Sequence, residues 1–218
     1  MASAIAIYGA GGSGREVAWL ADACGRSVAC FVDDDITNTN TTLNDIPIIA
    51  FETLVASRQD VEVIVALGAP EARAKIAQRV RVAGLQFAEL IHPRVERSRW
   101  FTWGPGLVVS ANSIITTNVT LGAHVQINVA CTIMHDVRIG DYSTLAPGVH
   151  LSGWVFVEPR VFLGTGAVVV NGTAAAPIVI GTGAVVGAGA CVTRSVPAGT
   201  TVVGVPARPI APVSDSPR

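Results

Sequence analysis

The sequence predicts a two-part chain of mixed fold class, a small parallel α/β sheet followed by a long parallel β-coil. Up to residue 97, strand signals alternate with helix signals. From Val109 onward an aliphatic residue returns at every sixth position. The mean hydropathy is high, +0.50, yet no run reaches the roughly 18–20 uninterrupted apolar residues of a membrane-spanning helix. The apolar residues therefore point to an efficiently buried core or to β-strands buried on a large interface. We divide the chain into domains at 1–97 and 98–218.

In the first domain, Ala4 to Tyr8 reads as an apolar strand, because the N-terminus lacks the basic region of a signal peptide and runs straight into a glycine turn. Arg15 to Cys24 has helical spacing. Val28 to Val32 is a second strand ending at Asp33, Asp34 and Asp35, and the Asn- and Thr-rich stretch 36–45 reads as a loop. A short helix at Phe51 to Ser57, a strand at Val61 to Leu67, a helix at Glu71 to Ala83 and a strand at Gln86 to Ile91 complete it. The turn Gly9-Ala10-Gly11-Gly12-Ser13-Gly14 lies between a strand and a helix, where backbone N–H groups can cradle a phosphate. Asp33, about twenty residues on, suits a ribose hydroxyl. Read naively this is an NAD site, but fewer than 100 residues precede the coil and nothing resembles a hydride-transfer substrate domain.

In the second domain, every sixth residue from Val109 to Val169 is Ile, Leu or Val; after a five-residue insert, Thr173 to Pro177, the register resumes at Ile180, Val186 and Val192. Two places before each of these stands a slender residue such as Val119, Val125, Cys131 or Ser143. No α-helix has this period, and hairpin sheets lack such regularity. Short strands and tight turns wound into a triangular prism explain it, with three hexads per coil and an apolar axis. Fourteen aliphatic positions make between four and five coils.

The net charge of −1 gives no reason to expect nucleic acid or an anionic membrane. Cys24, Cys30, Cys131 and Cys191 form neither a CxxC pair nor a metal spacing, and read as thiols of a cytoplasmic protein. Among the histidines, His92 precedes a proline at the domain junction and reads as structural. His124 and His150 occupy non-core slots and read as surface residues. His135, two places after Ile133, lies at an outer corner of the coil, so a buried core role does not suit it.

Several motifs resemble one family and cover nearly the whole chain: Tyr8 to Gly14, Val32-Asp33-Asp34, Ala66-Leu67-Gly68, Ile91-His92-Pro93, Ile127-Asn128, Ile133 to Gly140 around His135-Asp136, and Val203 to Ala207. The sequence resembles the hexapeptide-repeat sugar acetyltransferases, in particular the bacterial nucleotide-aminosugar N-acetyltransferases and sialic acid O-acetyltransferases. The resemblance implies a small Rossmann-like α/β N-terminal domain followed by a left-handed parallel β-helix, and a homotrimer in the cytoplasm.

It also implies an acetyl-CoA-dependent transfer to an amino sugar linked to a UDP-type nucleotide, without a metal. His135 would be the general base, since an imidazole titrates close to working pH, and Asp136 would hold its ring. Gly11, Gly12, Ser13, Asp33, Asp34, Gly68 and Asn128 would bind the nucleotide sugar; Thr144, Thr165, Gly187 and Ala188 would bind acetyl-CoA in a groove between coils of two subunits. Thr144 and Ser13 each stand where the family can carry a histidine. Transfer to a hydroxyl, or a binding protein without chemistry, are the alternatives. The γ-type carbonic anhydrases share the coil, but the spacing of His124, His135 and His150 does not match their zinc ligands. The insert Thr173 to Pro177 is expected to form a loop near the CoA groove.

Overall fold

The computed structural model describes residues 4–35, 37, 39, 41–57 and 60–210. The N-terminal sheet contains β1 (Ala4–Tyr8), β2 (Val28–Val32), β3 (Thr42–Leu43), β4 (Ile46–Ile49), β5 (Val61–Val65) and β6 (Gln86–Phe87), in the spatial order β3-β4-β2-β1-β5-β6. All neighbours are parallel except β3 and β4. Side chains alternate between the faces of a strand. Ile5 and Ile7 therefore pack with helix α1 (Gly12–Ala23), while Ala6 and Tyr8 face α2 (Phe51–Ser57) and α3 (Pro70–Val82).

The β3–β4 hairpin is a departure from the loop expected at 36–45, of which residues 36, 38 and 40 lie outside the described residues. Asn44 and Asp45 have φ of 50° and 63°, the two-residue conformation that favours hairpins and suits Asn and Asp. The Leu-Asn-Asp-Ile signal was present, but the surrounding polar stretch obscured it.

The coil has three parallel faces. The inner face, which meets the N-terminal domain, runs from Leu90–Ile91 through Val108–Val109, Gln126–Ile127, Thr144–Leu145, Phe162–Leu163 and Val185–Val186 to Thr201–Val203. The middle face begins at Glu96–Arg97 and includes Thr132–Ile133; the outer face begins at Phe101–Trp103 and includes Arg138–Ile139. The outer face has five strands, so five coils are complete and a further partial coil follows. This exceeds the expected number because the first coil has Arg97 and Trp103 in its aliphatic slots. The expected strand Gln86 to Ile91 is divided: Gln86–Phe87 joins the N-terminal sheet and Leu90–Ile91 starts the coil. The coil thus begins before residue 98.

Residues such as Ile127, Ile133, Ile139 and Leu145, with the slender Val125, Cys131 and Val137 between them, are buried along the axis. Each fully buried aliphatic side chain stabilises the coil by about 1.5–3 kcal/mol relative to exposure. The buried hydroxyl of Ser143 is satisfied by the Glu158 carbonyl, 2.9 Å away. Corners recur three residues after the aliphatic position. Eight of them, at Asn112, Asn118, His124, Ala130, Asp136, Tyr142, Trp154 and Arg160, have φ between 55° and 61°. Asn and Asp tolerate this left-handed region best; bulky residues there are strained.

Candidate functional site

The glycine turn bends β1 into α1. Gly14 is required by packing, since a Cβ there would lie 1.9 Å from the Gly9 carbonyl oxygen. Gly11 has no atom within 4 Å of its missing Cβ, so the start of α1 is open to an anion attracted by its free N–H groups. Next to it, Ser13, Glu16, Gly68, Ser110, Gln126 and Asn128 line a cleft between the N-terminal domain and the coil. The Asn128 amide donates to the Leu145 carbonyl at 3.0 Å. The sequence-selected residues Gly11, Gly12, Ser13, Gly68 and Asn128 are thus brought to one region. Asp33 and Asp34 lie in a neighbouring hollow with Glu52 and Arg79. There the Tyr8 hydroxyl donates to Asp34 at 2.8 Å, and Arg79 bridges Asp34 and Glu52. Burial, and then the Asp34 carboxylate, push the Tyr8 hydroxyl well above the ordinary phenol range.

A residue that the sequence reading missed joins the two domains. Arg73 of α3 is 1% exposed and donates to the carbonyls of Leu67, Gly68, His124, Tyr142 and Ser143, to the Gln126 side chain and to the Thr144 hydroxyl. All these acceptors are neutral. Burial pushes its pKa down to about 10, so the guanidinium stays charged at neutral pH. A buried cation without a carboxylate is costly unless its donors are satisfied, and here they are.

Two expectations are corrected at this junction. Thr144 is 2% exposed, and its hydroxyl donates to the Gly68 carbonyl at 2.9 Å; it is enclosed under α3 and lines no open CoA groove. His124 is also buried rather than on the surface. Its ring stacks on Tyr142 and meets Phe87 edge-on. Burial and the adjacent Arg73 lower its pKa from 6.5 to about 4. Tertiary cover from the N-terminal domain, invisible in the hexad pattern, reverses both readings. His92 is buried and accepts the Arg94 N–H at 2.9 Å, as a structural residue would; His150 is exposed.

His135 stands on the corner between the middle and outer faces, with its side chain 51% exposed. Its Nδ1–H donates to Asp136 Oδ2 at 2.9 Å, leaving Nε2 to face outward as a base. The His135 bond, assisted by Asn118, holds the Asp136 carboxyl below its ordinary pKa. One coil further on, a Cβ at Gly153 would lie 2.3 Å from His135 Cε1 and 2.5 Å from Nε2. The imidazole therefore rests on Gly153. The signal for this glycine was legible: it lies eighteen residues, one full coil, after His135. Among the described residues the Gly153 N–H has no hydrogen-bond partner.

Thr165, Gly187 and Ala188 lie on the corner between the inner and middle faces, the same corner as Asn128 but further along the axis. Thr165 and Ala188 are exposed. The cleft and these residues stand on one edge of the middle face, His135 and Asp136 on the other. One chain does not bring them together. Among the described residues no group of three or more His, Cys, Asp or Glu could hold a metal ion, and no helix is long and apolar enough to cross a membrane.

An open helix N-terminus in an α/β domain, a parallel β-helix and an exposed His–Asp pair are the combination expected of an acyltransferase that positions two substrates. Comparison with known proteins makes this specific. The family description of the PglD N-terminal domain matches residues 4–80, and that of the bacterial transferase hexapeptide (six repeats) matches residues 118–153. GDP-perosamine N-acetyltransferase of Escherichia coli O157:H7 is 32% identical over 93% of this chain and 94% of its own. Among solved structures, PerB from Caulobacter crescentus, in complex with CoA and GDP-perosamine, has a TM-score of 0.88 at 31% identity, covering 97% of this chain and 99% of PerB. The acetyltransferase domain of PglB from Neisseria gonorrhoeae FA1090, in complex with acetyl coenzyme A, has a TM-score of 0.86 at 32% identity, covering 96% and 100%. The chain belongs to the bacterial nucleotide-aminosugar N-acetyltransferases, with their Rossmann-like domain and left-handed hexapeptide-repeat β-helix.

Proposed function

We propose that the protein transfers the acetyl group of acetyl-CoA to the amino group of a nucleotide-linked amino sugar, with His135 as general base. The observation that carries this reading is the His135–Asp136 pair seated on Gly153, at an exposed corner of a β-helix whose relatives bind CoA. The nucleotide diphosphate would bind at the start of α1, on Gly11, Gly12 and Ser13, with its nucleoside toward Asp33, Asp34 and Gly68. Asn128 would face the sugar. Acetyl-CoA would run along the edge bearing Thr165, Gly187 and Ala188. Because these edges are separated within one chain, a cyclic homotrimer would complete each site from two copies.

The amine attacks the thioester carbonyl carbon and its proton passes to His135 Nε2. The negative charge on the carbonyl oxygen meets the unpartnered Gly153 N–H, a preorganised donor. Collapse expels the CoA thiolate, which takes the proton from the imidazolium. Asp136 keeps the ring in the correct tautomer and stabilises its charged form.

Two of the three relatives named above are associated with GDP-perosamine, so a GDP-linked amino sugar stands beside the UDP-type sugar that the resemblance suggested. Thiol release from acetyl-CoA should be measured with panels of GDP- and UDP-linked amino sugars, alongside His135→Ala. Release with one amino sugar, reduced about 10²–10⁴-fold by the substitution, is expected. Release only with hydroxyl acceptors would overturn the N-acetyl reading. Unchanged release in His135→Ala would overturn the assignment of the base.

A further inference from the structure

The corner column that carries the catalytic pair contains an unusual residue. Asn118, Asp136 and Trp154 occupy it in successive coils, with φ of 57°, 59° and 58°. Asn and Asp suit this left-handed conformation; an indole does not, and residues held there against preference concentrate at functional sites. Trp154 is half-buried, and its backbone N–H donates to the His135 carbonyl at 3.2 Å. Neighbouring strands lie about 4.8 Å apart, so Trp154 stands one coil beyond Asp136 on the same edge and directly follows Gly153.

The five-residue insert is tied to the same place. Gly172 donates to the Gly153 carbonyl and Ile178 to the Trp154 carbonyl, each at 3.0 Å. Between these anchors Thr173 and Ala176 exchange backbone hydrogen bonds of 3.0 and 3.1 Å, which closes the segment into a tight loop. The loop is exposed through Ala174 to Ala176 and offers small apolar side chains. Trp154, which interrupts the Asn-Asp column, and the insert thus form one structure beside the imidazole.

We propose that Trp154, backed by the loop Thr173 to Pro177, is the wall against which the acyl group of the thioester packs, and that it restricts the donor to short acyl chains. This rests on the acyl-CoA reading above. With the thioester carbonyl between His135 Nε2 and the Gly153 N–H, the residue next along the edge is Trp154. A planar, bulky side chain there leaves room for a methyl group and excludes a longer alkyl chain. Trp154 is a specificity-determining residue; proton transfer remains with His135.

Dissociation constants of acetyl-CoA, propionyl-CoA and butyryl-CoA, measured by calorimetry for the full chain and for Trp154→Asn and Trp154→Phe, test this without an acceptor sugar or turnover. The wild-type protein should prefer acetyl-CoA to butyryl-CoA. Trp154→Asn should narrow that preference at least about tenfold, the usual value of a methylene group or more in a shaped pocket. Trp154→Phe should fall between them. Because Asn accepts the left-handed corner, Trp154→Asn should melt no lower than the wild type. An unchanged acetyl-to-butyryl ratio in a folded Trp154→Asn protein would overturn the acyl wall and leave the acetyltransferase reading intact. No binding of any acyl-CoA by the wild type would overturn both.

Discussion

In the proposed function, the N-terminal domain and the coil recognise their ligands by opposite means. In the N-terminal domain the chemistry is backbone: free N–H groups at the start of α1, reached because Gly11 offers no side chain. In the coil it is a side-chain pair, His135-Asp136, on a periodic scaffold that repeats every eighteen residues up to the insert at Thr173 to Pro177. The first would accept different nucleotides by small changes around the cleft. The second would fix the reaction. The two are joined by a buried arginine, Arg73, which holds carbonyls of both domains.

Removing that coupling should have the largest effect. Arg73→Met leaves several carbonyl oxygens buried without a donor, costing about 3–5 kcal/mol. Denaturant unfolding should show the loss, with the N-terminal domain melting before the coil. If instead both domains melt together at the wild-type midpoint, the arginine does not join them. Gly153→Ala sharpens the contrast, because it should leave the coil folded. Its methyl group would displace the imidazole, and kcat should fall roughly 100-fold with Tm within a few degrees. A normal kcat would show that the ring does not rest on this glycine in the working enzyme.

The junction should also be sensitive to acid. His124 has a folded pKa of about 4 against 6.5, so below pH 6.5 the unfolded chain binds the proton first. Its stabilising contribution is complete above pH 6.5 and declines as the pH falls toward 4. At pH 5 the loss is about 2 kcal/mol. His124→Gln should flatten the pH dependence of stability between 4 and 6.5, and a wild-type-like slope in the variant would assign it to other groups. The smallest effect is expected at Asp136→Asn, about a tenfold fall in kcat, the worth of roughly one pKa unit of lost stabilisation of the charged ring, with KM for both substrates nearly constant. A change confined to KM would make Asp136 a binding residue.

The coil was legible because its core is a one-dimensional repeat: an aliphatic residue at each sixth position can be counted. The first coil escaped because Arg97 and Trp103, both exposed, stand in its aliphatic slots. His135 was legible as an exposed corner residue, and its importance came from the resemblance of the motif around it. Thr144 and His124 were misread for one reason. The repeat specifies which residues point away from the axis, but not which of these the N-terminal domain then covers. Arg73 was invisible because a helix position that reads as a solvated charge can be buried by a partner domain far away in sequence. Gly153 could have been found by adding one coil to His135.

We propose that the nucleotide-sugar cleft of one copy works with the His135 corner of another. Subunit complementation tests it most directly. His135→Ala lacks the base; Gly11→Asp places a carboxylate where the phosphate should bind, in open space that tolerates it. Each variant alone should be inactive in acetyl-CoA thiol release with the preferred amino sugar. Co-assembly of the two should restore a measurable fraction of wild-type activity, because an intact cleft from the first variant then meets an intact histidine from the second. If mixed assemblies form and remain inactive, both halves of each site come from a single chain, and the shared-site account is wrong.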